Sequence, residues 1–357
     1  MDLVQLGWDD FFAEHFRRFG REGLIPARVV REHRELYHID GELGQMSARV
    51  SGRLRHGAQA RSDFPAVGDW VAAEARPDEG QATIQAVLPR RSGFSRKTAW
   101  RRTEEQIIAA NIDTVFLVTD LGRDFNLRRM ERYLAVAWES RAKPVVVLNK
   151  LDLCPDPETH IARAGSVTLG VPIHAVSAAD GSGLDQLRSY LSAGKTVVLL
   201  GSSGVGKSTL INALLGADSL RVGPVREDDG RGRHVTSWRE LVTAPGGGVI
   251  IDTPGLRELQ LWTEDQDLEG SFEDIACLAR RCHFSNCTHR TEPGCAVRQA
   301  LEDGRLDEAR FESHTRLQRE VAYLAARRSQ KERLRQKSRM KQIARRSREW
   351  KRLNPKA

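Results

Sequence analysis

The segment Gly201-Ser202-Ser203-Gly204-Val205-Gly206-Lys207-Ser208 restricts the fold of this 357-residue chain more than any other. It fills every fixed position of the pattern Gly-x-x-x-x-Gly-Lys-Ser/Thr, between an apolar, β-branched run over 196–200 and a helix-like stretch over 208–215. Glycines at these places let backbone N–H groups fold around an anion, and the helix N-terminus that follows adds a favourable dipole. Such a loop belongs to a parallel α/β sheet, and the rest of one is present. Residues 115–118, 145–148, 172–176 and 249–251 have the texture of buried strands, and 127–140 and 183–192 of helices. A doubly wound α/β domain over 99–262 is expected.

The phosphate loop does not stand alone. Lys207 is placed to reach the β- and γ-phosphates of a nucleotide and Ser208 to offer its hydroxyl to Mg²⁺, with Thr209 completing the cradle. Asp252, at the tip of the 249–251 strand, is placed to hold the same ion directly or through water, and the Gly255 amide to sense the γ-phosphate. Asn149-Lys150-Leu151-Asp152 closes the 145–148 strand. An Asp carboxylate there accepts two hydrogen bonds from the N1 and N2 groups of guanine, which adenine cannot offer. Ser177-Ala178 supplies a backbone amide for guanine O6. Four matched elements on one frame specify GTP.

Their order is unusual: base reader, guanine loop, phosphate loop, switch, Asp-x-x-Gly. Termini of compact domains often lie close together, so a circular permutation keeps the pocket and moves the chain ends. The Gly-rich, charged segment 226–237 is the expected switch, with Thr236 the candidate second Mg²⁺ hydroxyl. Leu256 follows Gly255, where many such enzymes place a water-orienting Gln. An apolar side chain cannot orient water, so slow intrinsic hydrolysis is expected. His234 is the nearest polar candidate to serve, the alternative being a switch residue with no catalytic part. Lys207, Thr236 and His234 form the candidate catalytic set.

Cys282, Cys287, His289 and Cys295 offer three thiolates and an imidazole within fourteen residues, a donor set suited to a closed, structural, tetrahedral Zn²⁺ site. Disulfides are the alternative, disfavoured in a cytoplasmic chain; Cys154 and Cys277 read as ordinary thiols. A cytoplasmic location fits the early acids Asp2, Asp9 and Asp10, which no signal peptide would carry, and no apolar run is long enough to span a bilayer.

Leu6, Phe12, Phe16 and Phe19 have helical spacing and predict an N-terminal helical extension over 1–23. Short alternating segments at 27–30, 36–39, 48–54, 69–73 and 83–87 predict a small β-barrel over 24–98. The cysteine module follows over 263–326, with a charged helical stretch from 306 to 353. From Arg327 to the end, fourteen Lys and Arg stand against Glu332 and Glu349. The basic tail, 327–357, therefore carries a net twelve positive charges of the whole-chain +8, and the body sums to −4. Such a tail suits nucleic-acid phosphates; a solvated helix that keeps the protein soluble is the alternative.

With these motifs in place the chain resembles the circularly permuted GTPase family RsgA, also called YjeQ, over nearly its whole length. The resemblance rests on Asn149–Asp152, Ser177-Ala178, Gly201–Ser208 and Asp252-Thr253-Pro254-Gly255. It extends through Gly232-Arg233-His234-Val235-Thr236-Ser237 and the module ending Glu292-Pro293-Gly294-Cys295. The family usually carries a run of threonines after the His, where Val235 and Ser237 flank Thr236 here, and the tail is longer than the family core requires. The resemblance implies an N-terminal OB-fold, a permuted GTPase and a C-terminal zinc domain. It also implies binding to the small ribosomal subunit late in assembly, with GTP hydrolysis stimulated by the subunit and followed by release. Contact with the subunit's rRNA, a monomer and no membrane partner are expected. A non-catalytic RNA-binding scaffold and a GTPase acting on another translation component, such as tRNA or a factor, are the competing classes.

Overall fold

The aromatic spacing at the N-terminus becomes helix α1 (Asp10–Gly20), started by the Asp9 carboxylate, which accepts the Phe11 N–H at 3.1 Å. Phe12 and Phe19 are buried, and the Trp8 and Phe12 rings lie 4.7 and 5.8 Å from that of Trp70. Trp70 opens a strand of the next layer. In this computed structural model, residues 2–20, 22–33, 35–98, 104–168, 170–216, 239–252, 272–308 and 310–319 are described. They fall into two units, Met1–Gln260 and Leu261–Ala357.

The alternating segments form β1 (Ile25–His33), β2 (Leu36–Gly41), β3 (Met46–Val50), β4 (Trp70–Arg76) and β5 (Gln81–Val87). They pair in the order β1-β2-β3-β5-β4, and β4 returns to β1, closing a five-stranded barrel of the OB type. Ala27, Val29, Ile39, Ala48, Val71, Ala73 and Ile84 fill its interior. The strand expected over 48–54 stops at Val50, because Ser51 Oγ accepts the Leu54 N–H at 3.1 Å and caps α2 (Gly52–Gly57). A side-chain oxygen that satisfies a free N–H outweighs a weak β pattern here.

A hairpin, β6 (Gly93–Thr98) and β7 (Glu104–Ala110), leads into the α/β layer. There β8 (Thr114–Asp120), α3 (Leu127–Glu139), β9 (Lys143–Asn149), α4 (Pro157–Gly165), β10 (Ile173–Ala175), α5 (Leu184–Arg188), β11 (Thr196–Leu200) and α6 (Lys207–Leu215) alternate. β12 (Arg239–Thr243) and β13 (Val249–Asp252) complete the sheet in the order β10-β9-β8-β11-β13-β12. All are parallel except β12, an antiparallel strand with only two apolar residues, Leu241 and Val242, to announce it. Val145–Leu148, Val197–Leu200 and Val249–Ile251 are buried on both faces, as parallel strands covered by helices must be.

The barrel and this layer share hydrogen bonds. β1 pairs antiparallel with β12, Arg31 opposite Glu240 and Glu32 opposite Arg239. Arg28, on the outer face of the same β1, is 1% exposed. Its guanidinium donates to the carbonyls of Leu6, Gly68 (3.2 Å) and Asn111 (3.2 Å) and to Thr196 Oγ1 (2.9 Å). One cation thus joins the N-terminal segment, the barrel and the first residue of β11. Burial lowers its pKa to about 10.

In the second unit, α7 (Glu273–Ala279), α8 (Ala296–Glu302) and helical residues 310–319 enclose Phe272, Ile275, Val297, Ala300 and Leu317. Arg310 grips Asp274 with two bonds of 2.7 and 2.8 Å, its guanidinium 4.9 Å from the centre of the Phe272 ring.

Candidate nucleotide site and metal cluster

All the predicted nucleotide loops that fall among the described residues leave the carboxyl ends of neighbouring parallel strands, where open α/β sheets bind ligands. The phosphate loop runs from β11 into α6, whose first residue is Lys207. Gly206 has φ +94°, and a Cβ there would strike Asn149 Nδ2. At Gly201 a Cβ would strike the Val118 carbonyl, so the loop lies flat on β8 only with glycine at that place. Lys207 Nζ donates to the carbonyls of Gly201 (2.7 Å) and Ser202 (2.6 Å), which holds the ammonium inside the loop.

Asn149 links this loop to the base-reading side. Its Nδ2 donates to the Val205 carbonyl at 2.8 Å, and its Oδ1 accepts the Ala178 N–H at 3.1 Å. Asp152 accepts the Ser177 hydroxyl at 2.7 Å, which turns the carboxylate. Ser177 Oγ also accepts the N–H groups of Ala179 and Asp180, both at 3.3 Å, so the loop after β10 is built around one hydroxyl. Lys150 takes a left-handed backbone, φ 65°, and Leu151 and Asp152 follow in a single 3₁₀ turn.

Two residues of the site were not foreseen. Asp120 ends β8 and pairs with Lys150 Nζ at 2.9 Å. Burial pushes the Asp120 carboxyl up, but the bonds from Lys150 and from the Asp124 and Gly122 N–H groups outweigh it and hold it below the usual range. Arg129, in the first turn of α3, donates to Ser202 Oγ at 2.5 Å and pairs with Asp124. The only sequence hint of these residues is an acid at a strand tip and an arginine within a turn of a helix start. Neither is distinctive without the fold.

Asp252 sits at the tip of β13, beside β11, in the register Val197–Ile250 and Val198–Ile251. A hydroxyl from Ser208 and a carboxylate from Asp252 are hard oxygen donors of the kind Mg²⁺ takes. Thr236, His234, Gly255 and Leu256 lie outside the described residues, as do the switch over 226–237 and the tail over 327–357.

The four metal-ligand candidates converge in the second unit, their ligand atoms all within 4.8 Å of one another. Cys282 Sγ is 3.9 Å from Cys295 Sγ and 3.6 Å from His289 Nδ1, and Cys295 Sγ is 3.4 Å from that nitrogen. A tetrahedron with ordinary Zn–S and Zn–N lengths has edges of about 3.8 and 3.6 Å, so the donor set fits. The sulfur separation is far beyond an S–S bond of about 2.05 Å, and the described cysteines are free. Glu292 braces the ligand loop, accepting from the Thr288 hydroxyl and from the N–H groups of Thr288 (2.9 Å), Arg290 (2.9 Å) and Thr291 (3.1 Å). Those bonds hold its carboxyl well below the usual range. Cys295 also caps α8, its Sγ accepting the Arg298 N–H at 3.4 Å.

Comparison with known proteins agrees with this geometry. A family model described as RsgA GTPase matches residues 87–262, and one described as 50S ribosome-binding GTPase matches residues 196–342. The chain is 51% identical over 336 residues to the small ribosomal subunit biogenesis GTPase RsgA of Opitutus terrae, with 92% of each chain covered. It superposes on the crystal structure of YjeQ from Thermotoga maritima with TM-score 0.63 at 27% identity, covering 84% of this chain and 99% of that one. YloQ, described as a circularly permuted GTPase, shares the fold at TM-score 0.60 and 23% identity, covering 84% of this chain and 95% of that one. With the permuted order of loops visible in its own sheet, this chain belongs to the RsgA family of circularly permuted GTPases and hydrolyses GTP.

Proposed function

We propose that the protein binds the small ribosomal subunit and its rRNA late in assembly, hydrolyses GTP when the subunit stimulates it, and then leaves. The observation that carries this reading is the 51% identity to a small-subunit biogenesis GTPase across 92% of both chains. In the pocket, Asp152 reads the guanine N1 and N2 groups, and Asn149 and the Ser177-Ala178 turn hold the base. The loop from Gly201 through Ser202, Ser203, Gly204, Val205, Gly206, Lys207 and Ser208 to Thr209 cradles the phosphates. Lys150 and Leu151 complete the base side.

Ser208, Thr236 and Asp252 are the residues for Mg²⁺, the last through water, and Gly255 for the γ-phosphate. When bound, that ion neutralises phosphate charge as it develops. Lys207 and Thr236 serve the reaction, and His234 is the candidate to orient water in place of Leu256. Cys282, Cys287, His289 and Cys295 hold one structural Zn²⁺. The domains run as an extension over 1–23, an OB-fold over 24–98, the GTPase over 99–262, the zinc module over 263–326 and an RNA-contacting tail over 327–357. The protein works as a cytoplasmic monomer; among the described residues no helix is long and apolar enough to cross a membrane.

The test is GTP turnover alone and with purified small subunits, large subunits or tRNA. Stimulation by small subunits is expected. Stimulation by large subunits alone would favour the sense of the family model matched over 196–342. Stimulation by tRNA alone, or by nothing, would overturn the proposal.

A further inference from the structure

Three adjacent strands of the first unit carry three charged residues in one row. Arg31 in β1 is the ladder partner of Glu240 in β12, and Glu240 is the ladder partner of Asp252 in β13. Residues directly opposite on neighbouring strands project from the same face with Cβ atoms about 5 Å apart. Arg31 and Glu240 form an ion pair, both side chains partly buried. The Glu240 carboxylate therefore has a cation of the barrel on one side and the carboxylate of Asp252 on the other.

Like charges directly opposite on a sheet repel. A Glu facing the Asp at a strand tip is thus costly unless cations sit close to the row. Arg31 is one such cation. A divalent ion held by Asp252 is a second, and both act on the charge of Glu240.

We propose that Glu240 is a positioning residue for the Mg²⁺ site at Asp252, and that Arg31 sets how much of its charge the site feels. The inference rests on the assignment of Asp252 to Mg²⁺. Glu240 does not touch the nucleotide. It strengthens the field at Asp252, and Arg31 offsets part of that field. Coupling of this kind is reciprocal: whatever pulls β1 and its Arg31 away from Glu240 tightens Mg²⁺, and bound Mg²⁺ loosens the hold of the barrel on β12. The OB barrel thereby gains an electrostatic line to the nucleotide site through a single strand, β12. That strand starts two residues after Ser237, the last residue of the predicted switch.

The test uses the full chain loaded with a fluorescent GDP analogue, whose release is timed as free Mg²⁺ is varied. Glu240→Gln is expected to raise the Mg²⁺ concentration that half-maximally slows release by about fivefold, a modest effect because the pair is partly solvated. Arg31→Gln is expected to lower it by about threefold, and the double variant to fall between the two single variants, since the two charges act on the site through space with opposite sign. Glu240→Asp, which keeps the charge, is expected to recover most of the loss. Analogue affinity without Mg²⁺ should stay at the wild-type value in all four. Arg31→Gln is an independent arm should Glu240→Gln fold poorly. An unmoved Mg²⁺ midpoint in either single variant, or a shift opposite to the one expected, overturns the proposal. Asp252→Asn separates the two levels. If it leaves the midpoint unmoved, the Mg²⁺ assignment itself fails; if it moves the midpoint while Glu240→Gln does not, only the row fails.

Discussion

Asn149 Nδ2 donates to the Val205 carbonyl at 2.8 Å, so the residue that opens the base-reading motif also braces the phosphate loop. Through its Oδ1 the same amide holds the Ala178 N–H. Three loops, from β9, β10 and β11, therefore depend on one side chain.

Asn149→Ala would leave a buried carbonyl and a loop N–H without partners, each worth about 1–3 kcal/mol. The expected outcome is a GDP affinity at least about tenfold weaker, measured by titration with a fluorescent analogue. An affinity within twofold of wild type would mean that the brace is not needed to shape the pocket.

Arg28→Met keeps much of the side-chain volume but deletes the donors to Leu6, Gly68, Asn111 and Thr196. Breaking such a buried cationic hub is expected to cost about 3 kcal/mol or more. Chemical denaturation followed by tryptophan fluorescence reports it, since Trp8 and Trp70 pack beside the hub. A midpoint equal to that of the wild type would show that water replaces the guanidinium without loss.

Removal of the cluster metal should unfold the second unit first. With an apolar core this small, the binding energy of the metal is folding energy. Prolonged chelation, or Cys287→Ser, is expected to abolish amide protection in residues 272–308 while GDP binding persists. Retained protection after metal analysis confirms an empty site would show that helix packing alone suffices.

Acid should weaken the same unit, and His314 sets part of the window. Burial lowers its pKa to about 4, from the ordinary value of 6.5. Above 6.5 the ring is neutral whether the chain is folded or not, and it contributes no pH dependence. Between 6.5 and about 4 the unfolded chain takes up a proton that the folded one refuses, so stability falls as the pH drops. The slope from one proton is at most about 1.4 kcal/mol per pH unit. His314→Phe should flatten the stability profile across that window, and the difference from wild type cancels protonation of the cluster. Parallel profiles would remove His314 as the cause.

Much of the architecture is legible in the sequence. The strand–loop–helix frame around Gly201–Ser208 was correct to within a residue, because Gly-rich phosphate loops tolerate few alternatives. The strands over 145–148, 197–200 and 249–251 were plain because strands buried on both faces are apolar throughout. β12 and β6 carry no legible pattern, since Arg239-Glu240-Leu241-Val242-Thr243 and Gly93–Thr98 have too few apolar residues to signal a strand. The over-long strand at 48–54 had the opposite cause: Ser51 capped a helix that pattern alone could not announce.

The donors proposed for the nucleotide and metal sites are named by residue type and spacing alone, for Asp152, Lys207, Ser208 and the Cys282–Cys295 module as much as for the phosphate loop. Their order along the chain, base reader before phosphate loop, was likewise settled by the sequence. Tertiary structure decided what holds those donors in place. It set Asp120 against Lys150, Arg129 against Ser202, Arg28 at the junction with β11, and Arg31 opposite Glu240 beside Asp252. The physical reason is range. A motif is local because a loop must present its own backbone and side chains to a ligand, whereas a supporting charge is chosen by whichever strand the fold lays beside it, about 5 Å away and up to 209 residues distant.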